Sequence, residues 1–120
     1  MAGKRILLVE DDRNTADLLV HVLCAAGYIV DLASTIAQGL QRLAHDHYGL
    51  VITDWRLPDG EGITVADEAA DLNIKAAILT GYAFQIPRAA AERHEIWLKP
   101  MRPGELIHAI ERRMERNGAC

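Results

Sequence analysis

Polar residues suited to phosphate chemistry follow four short apolar runs of the chain. These residues are Glu10, Asp11, Asp54, Thr80 and Lys99, and the runs before them are Ile6–Val9, Leu50–Thr53, Ala76–Leu79 and Glu95–Leu98. Apolar runs of this length, separated by helical patterns, are typical of buried parallel strands. Because the ligand site of an open α/β sheet lies at the carboxyl ends of its strands, the sequence predicts that three carboxylates, one hydroxyl and one ammonium group meet in one crevice.

The three acidic residues carry more negative charge than Lys99 can balance. Close carboxylates repel one another, so one of them would normally stay protonated. Mg²⁺ removes this problem, because it prefers oxygen ligands and keeps several of its waters. The same ion would gather phosphoryl oxygens and stabilise in-line displacement by a carboxylate. Lys99 can then hold one phosphoryl oxygen as a point charge, and Thr80 can donate a hydrogen bond to another.

Five strands that alternate with five helices are predicted to position these groups. Tyr28–Val30 completes the set of strands. The helices are predicted to begin at Asn14, to follow a cap at Ser34, to span Ile63–Asp71 and Arg88–Arg93, and to begin again at Pro103. Gly81 and Pro87 interrupt the chain before the fourth helix, which is therefore predicted to be short or irregular. Right-handed crossovers then give a flavodoxin-like, doubly wound α/β fold, with a five-stranded parallel sheet of order 2-1-3-4-5.

Length and composition exclude several classes of protein. With 120 residues, half of them hydrophobic, the chain is predicted to form one domain over residues 1–120. A net charge of −4 argues against nucleic acid as a partner, since such binding needs a basic face. No apolar run approaches the ~20 residues of a membrane span and no leader pattern is found, so we expect no membrane partner and a cytoplasmic location. Cys24 is predicted to be a small core residue of the first helix.

The four strand-end motifs together resemble the receiver domain of response regulators, the phosphoacceptor module of two-component signalling. The motifs are Ile6–Asp12 with its acidic pair, Asp54–Gly62 with a proline four and a glycine eight residues after the aspartate, Leu79–Gly81, and Lys99–Pro100. The similarity covers residues 4–116. With no output domain in the sequence, the chain resembles the single-domain, chemotaxis-regulator-like members of two-component systems.

The resemblance implies a role for each residue of the acidic cluster. Asp54 would accept a phosphoryl group from a sensor histidine kinase or a phosphotransfer protein. Asp11, Asp54 and the backbone carbonyl of Arg56 would bind Mg²⁺ directly, and Glu10 would bind it through a water. The chain would assist its own phosphorylation and dephosphorylation only, and would not be an enzyme in the usual sense.

The resemblance also implies how the phosphoryl group would be bound and how it would change the conformation of the domain. Lys99 would contact it, Thr80 would move toward it, and the Lys99–Pro100 peptide bond would be cis, a form found almost only before proline. The conformational change would act on a downstream target protein. The resemblance names neither the cognate kinase nor the target, and it leaves open whether the chain forms a homodimer.

The sequence departs from the family pattern beside the switch threonine. The family usually carries Tyr or Phe three residues before the lysine, where this chain has Ile96, and strand alternation sends Trp97 to the opposite face. Tyr82 or Phe84 could replace the missing aromatic, or both could simply pack the short fourth helix.

Arg56 and Tyr82 lie two residues after Asp54 and Thr80, at positions that flank the phosphoryl group in the family. We hypothesise that they modulate the site: lying over it, stacked as a cation–π pair, they would hinder the water that hydrolyses the phosphoryl group. The alternative is that Arg56 points into solvent.

Two other functions compete with that of a phosphoacceptor. A phosphorylation-independent pseudo-receiver, an interaction module, would lack some of the acids or the lysine, and only the altered switch position at Ile96 favours it. An aspartate-nucleophile phosphatase would carry an Asp-x-Asp motif, whereas Asp54-Trp55-Arg56 has arginine at the second acidic position. A dinucleotide-binding domain would need a Gly-x-Gly-x-x-Gly turn, which the chain lacks.

Overall fold

The predicted five-stranded parallel sheet is present in the computed structural model, which describes residues 4–118. The strands are β1 (Arg5–Val9), β2 (Ile29–Ala33), β3 (Leu50–Asp54), β4 (Arg56–Leu57), β5 (Gly60–Glu61), β6 (Lys75–Thr80) and β7 (Glu95–Leu98). The helices are α1 (Arg13–Ala25), α2 (Ile36–His45), α3 (Ile63–Asp71), α4 (Arg88–Arg93) and α5 (Pro103–Gly118), with a 3₁₀ turn over Ala83–Gln85. The parallel strands follow the order β2-β1-β3-β6-β7, which confirms the predicted order once the small antiparallel hairpin β4–β5 is set aside.

Both faces of the sheet are covered, which is why its strands are continuously apolar. Along β1, Leu7 and Val9 pack into a cluster with α2, α3 and α4, whereas Ile6 and Leu8 pack on the other face with α1 and α5. All four side chains are fully buried. The core therefore fixes the register of the central strands, and with it the position of the polar residues at their ends.

The first two helices begin at other caps than the sequence predicts. Asp12, and not Asn14, caps α1, because its side chain is free to accept a hydrogen bond from the backbone N–H of Thr15 at 2.9 Å. Thr35, and not Ser34, caps α2 by accepting from the N–H of Gln38. The bounds of α3 and α4 are those predicted, so the fourth helix is indeed short.

Cys24 is exposed, so its predicted place in the core is wrong. The buried residues of α1 are Ala16 and Leu23. Successive residues of an α-helix are turned by about 100° around its axis. Once Leu23 points to the sheet, Cys24 is directed away from it.

The last strand separates its two central side chains as predicted. Ile96 packs on the α2–α3–α4 face, and Trp97 is buried on the opposite face against α1 and α5. Among residues 4–118, no helix has the length and apolar character that a membrane crossing requires.

Candidate functional site

Three carboxylates meet where β1 and β3 end. These two strands are neighbours and pair Val9 with Thr53, so Glu10 and Asp11 follow β1 beside Asp54, the last residue of β3. One carboxylate oxygen from each of the three acids lies within 4.8 Å of the other two. Glu10 is buried and Asp11 is exposed, so the cluster opens to solvent on one side and could hold a small cation there.

Lys99 forms ion pairs with two of these acids. Its Nζ lies 2.6 Å from Asp54 Oδ1 and 2.9 Å from Glu10 Oε1. The other oxygen of Glu10 accepts a hydrogen bond from the backbone N–H of Asp12 at 3.1 Å. The backbone of Lys99 is fixed as well, since its N–H donates to the carbonyl of Thr80 at 2.8 Å. The Lys99–Pro100 peptide bond is cis. The ammonium group is therefore held between two strand ends rather than free in solvent.

The pKa values of Asp54 and Lys99 reflect burial and the hydrogen bonds that join the two residues to each other and to Glu10. Burial raises the pKa of Asp54 to about 7; the hydrogen bond from Lys99 opposes this rise, and the nearby Glu10 adds to it. Burial by itself lowers the pKa of Lys99, but the hydrogen bonds to Asp54 and Glu10 outweigh burial and leave that pKa raised. Lys99 therefore stays charged, and a cation with oxygen ligands would favour ionised Asp54. The donor set of three carboxylates fits Mg²⁺.

Thr80 lines a cleft of about 260 Å³ together with Asp54 and Lys99. Asp54, Arg56, Thr80, Tyr82 and Lys99 all line it. Thr80 ends β6 and is buried, and its Oγ1 accepts a hydrogen bond from the backbone N–H of Tyr82 at 3.1 Å. The cleft thus contains Asp54, Thr80 and Lys99, and Asp54 and Lys99 connect it to Glu10 and Asp11 of the acidic cluster.

Arg56 and Tyr82 lie at the mouth of this cleft, and both are exposed. The cation–π contacts within the described part of the chain join Lys4 to Tyr28 and Arg5 to Tyr48, so Arg56 does not stack on Tyr82 in this structure. Tyr82 is 67% exposed and Phe84 is 99% exposed. The alternative that these two aromatic side chains pack against the short fourth helix is therefore wrong.

Gly62 is a site residue whose role the sequence did not reveal, beyond its place in the motif. A Cβ atom at Gly62 would lie 1.8 Å from the backbone oxygen of Asp54 and 2.6 Å from Thr53 Oγ1. The N–H of Gly62 also donates to the carbonyl of Trp55 at 2.7 Å, which closes the loop after β3. Only a residue without a side chain lets the loop return so close to the end of the strand that carries Asp54.

We expect Gly62→Ala to lower the free energy of unfolding by about 2 kcal/mol or more, because the added methyl group would collide with backbone that cannot move without displacing Asp54. Urea denaturation measures the change. Gly104→Ala is the matched control, since a Cβ there meets no atom within 4 Å. Its stability should equal or slightly exceed that of the wild type, as alanine is the better helix former. Equal stabilities of the two variants would contradict the packing argument.

Known proteins match the chain along nearly its whole length. The family model described as response regulator receiver domain matches residues 6–111. The response regulator receiver protein CpdR of Brucella abortus (strain 2308) is 33% identical over 114 residues, which cover 91% of this chain and 95% of that protein.

Solved structures with the same fold include two receiver proteins. The CheY-like receiver domain protein of Methanospirillum hungatei JF-1 has a TM-score of 0.86 and 28% identity, and the match covers 97% of each chain. The response regulator TrrA of Thermotoga maritima, solved in complex with Mg²⁺–BeF, has a TM-score of 0.83 and 29% identity, over 91% of this chain and 97% of that one. This chain therefore belongs to the response regulator receiver domain family.

Proposed function

We propose that Asp54 accepts a phosphoryl group from the phosphohistidine of a sensor kinase or phosphotransfer protein, with Mg²⁺ bound, and that the chain passes this state to a target protein. The observation that carries the proposal is the position of Lys99 Nζ between Asp54 and Glu10, beside an acidic cluster that includes Asp11. Membership of the receiver family supports it. So does the Mg²⁺–BeF complex of the similar protein TrrA.

The chain's own groups suggest how the transfer proceeds. An oxygen of the Asp54 carboxylate forms a bond to phosphorus as the bond from phosphorus to the histidine nitrogen breaks, and that nitrogen keeps the electron pair. Lys99 would leave Asp54 to hold a phosphoryl oxygen. Thr80 would exchange the hydrogen bond that its hydroxyl donates to the carbonyl of Tyr82, at 3.4 Å, for one to another phosphoryl oxygen.

Asp11, Asp54 and the backbone carbonyl of Arg56 would hold Mg²⁺, with Glu10 acting through a water. The bound ion supplies charge that neutralises the phosphoryl oxygens during transfer. Glu10 is suited to the indirect role, because Lys99 and the N–H of Asp12 already occupy its two oxygens.

The output of a receiver is a shift in population between two arrangements. The phosphoryl group must therefore bind the active arrangement more strongly than the resting one, by a few kcal/mol. Thr80 is suited to this task, since its hydroxyl donates only a long hydrogen bond of 3.4 Å to the carbonyl of Tyr82 in the resting structure and would donate to a phosphoryl oxygen in the phosphorylated one.

Intact-mass analysis after incubation with acetyl phosphate tests the proposal. One phosphate adduct is expected with Mg²⁺, and none with EDTA in its place. A wild-type chain that takes no phosphate under either condition would favour the phosphorylation-independent interaction module, for which Ile96 at the usual aromatic position is the supporting observation.

We also propose that Arg56 slows hydrolysis of the phosphoryl group, because it lines the cleft that water must enter. Arg56→Ala should shorten the phosphoryl half-life by a factor of about 2–5, equivalent to ~0.5–1 kcal/mol of activation free energy. The half-life is measured by loss of the mass adduct after desalting. Glu61→Ala is the control, since Glu61 pairs with Arg56 across the hairpin but does not line the cleft. An unchanged half-life for Arg56→Ala would remove this hypothesis.

A further inference from the structure

Asp59 joins the loop after β3 to a helix that lies 23 residues earlier in the chain. Its Oδ1 accepts a hydrogen bond from the backbone N–H of Ile36 at 2.8 Å, and its Oδ2 accepts from the N–H of Ala37 at 3.1 Å. These are the first two residues of α2. Their amide groups have no partner within the helix, so a carboxylate from elsewhere in the chain is well placed to bind them.

The segment that Asp59 holds is the β4–β5 hairpin. Asp59 stands at its tip, between Leu57 and Gly60, which pair across it. A second contact fixes the same tip, because the α-carbon of Gly60 lies against Ile36, so closely that a Cβ there would be 3.1 Å from Ile36 Cδ1. The hairpin is thus pressed onto the first turn of α2 by two hydrogen bonds and an apolar contact.

The β4–β5 hairpin is connected at both of its ends to the strand end that carries Asp54. Arg56 opens it, paired with Glu61, and Gly62 closes it by donating to the carbonyl of Trp55 and packing on the backbone of Asp54. The N–H of Trp55 is held in turn by the carbonyl of Leu79 on β6. The backbone at Arg56 is therefore fixed at its base by the sheet. At its far end it is held by the hydrogen bonds of Asp59 to α2, with the Gly60–Ile36 contact and the buried side chain of Leu57 beside them.

We propose that Asp59 is a positioning residue for the metal site: by clamping the hairpin to α2, it holds the carbonyl of Arg56 where it can reach the same ion as Asp11 and Asp54. The inference rests on the proposed function, because it takes that carbonyl as a ligand. Asp59 itself is exposed at the hairpin tip and acts only through the backbone of the hairpin.

Titration with Mg²⁺, followed by calorimetry, tests the proposal without any phosphorylation. Asp59→Ala should raise the dissociation constant for Mg²⁺ on the order of fivefold. This is less than the ~10–100-fold loss that direct outer-shell partners of a metal ligand cause, because Asp59 acts through the intervening hairpin. Asp59→Asn keeps one acceptor oxygen, so it should give an intermediate constant and would serve if the alanine variant fails to fold.

Thr35→Ala is the matched control. Thr35 caps the same end of α2 by accepting from the N–H of Gln38, but it makes no hydrogen bond with the hairpin. It should lower the melting temperature much as Asp59→Ala does while leaving the Mg²⁺ constant within about twofold of the wild type. Equal Mg²⁺ constants for Asp59→Ala and the wild type, or equal losses in both variants, would overturn the positioning role alone. A wild-type chain that binds no Mg²⁺ would overturn the proposed function with it.

Discussion

Asp54→Asn is expected to carry no phosphate after incubation with acetyl phosphate and Mg²⁺, under conditions in which the wild-type chain gains one phosphate in intact-mass analysis. The amide oxygen of asparagine is a far weaker nucleophile than a carboxylate and brings no negative charge to the metal site. The substitution keeps the size of the side chain, so the cleft and the position of Lys99 should survive. The effect on phosphorylation is therefore all or none.

The same substitution should make the metal-free protein more stable above neutral pH. Asp54 has a pKa of about 7 in the folded chain against an ordinary value of 3.8, so between these values the folded state binds a proton that the unfolded state releases. The stability that this proton contributes is complete below pH 4 and is lost as the pH rises through 7. Asparagine has no such dependence. In urea denaturation without Mg²⁺, the free energy of unfolding of Asp54→Asn should rise relative to that of the wild type by on the order of 1–2 kcal/mol between pH 5 and pH 8.

Glu68→Gln supplies the control for both measurements, since it removes an exposed carboxylate of α3 that lies outside the cluster. It should be phosphorylated like the wild type and should keep the wild-type pH dependence. A phosphate adduct on Asp54→Asn would show that another residue is the acceptor. A stability difference that stays constant from pH 5 to pH 8 would show that Asp54 is already ionised in the metal-free protein.

The sheet could be predicted from the sequence because its determinants are local. A run such as Leu50–Thr53 is apolar on both faces, so it must lie inside a covered sheet, and the polar residue after it must lie at the strand end. The same logic separated Ile96 from Trp97 on opposite faces. The crevice therefore followed from strand ends and strand order alone.

The contacts that depend on close approach between distant backbones could not be predicted in this way. The hydrogen bonds from the amides of Ile36 and Ala37 to Asp59 cannot be predicted from residue types, because every residue except proline offers the same backbone donor. The predicted first residues of α1 and α2 are wrong for a related reason. Asp12 and Thr35 compete with polar neighbours that could also cap, and the backbone conformation decides between them.

The short fourth helix was predicted from Gly81 and Pro87, but its consequence was not. Tyr82 and Phe84 project into solvent, and the 3₁₀ turn over Ala83–Gln85 takes the place of a longer helix beside the cleft. Whether a side chain finds a partner depends on packing between elements, which a pattern along one segment does not record. The position of an element along the chain was therefore easier to predict than the contacts that its side chains make with other elements.

Lys99→Met is expected to change phosphorylation and Mg²⁺ binding in opposite directions. Phosphorylation by acetyl phosphate should slow by roughly 10²–10³-fold, the usual effect of removing one donor to charge that develops in a transition state. Mg²⁺ should bind about tenfold more tightly, because the ammonium group that repels it from Asp54 and Glu10 is gone. Calorimetric titration and the rate of adduct formation give the two numbers on the same sample.

The stability of Lys99→Met should depend on the metal for the same reason. Without Mg²⁺, buried Glu10 and Asp54 face each other with no cation between them, which should lower the free energy of unfolding by about 2–3 kcal/mol, and added Mg²⁺ should restore most of the loss. Lys99→Arg is the control: it keeps the charge but replaces a compact ammonium with a planar group, so it should slow phosphorylation without tightening Mg²⁺ binding. Weaker Mg²⁺ binding by Lys99→Met than by the wild type would mean that the lysine organises the acidic cluster rather than competing with the ion for it.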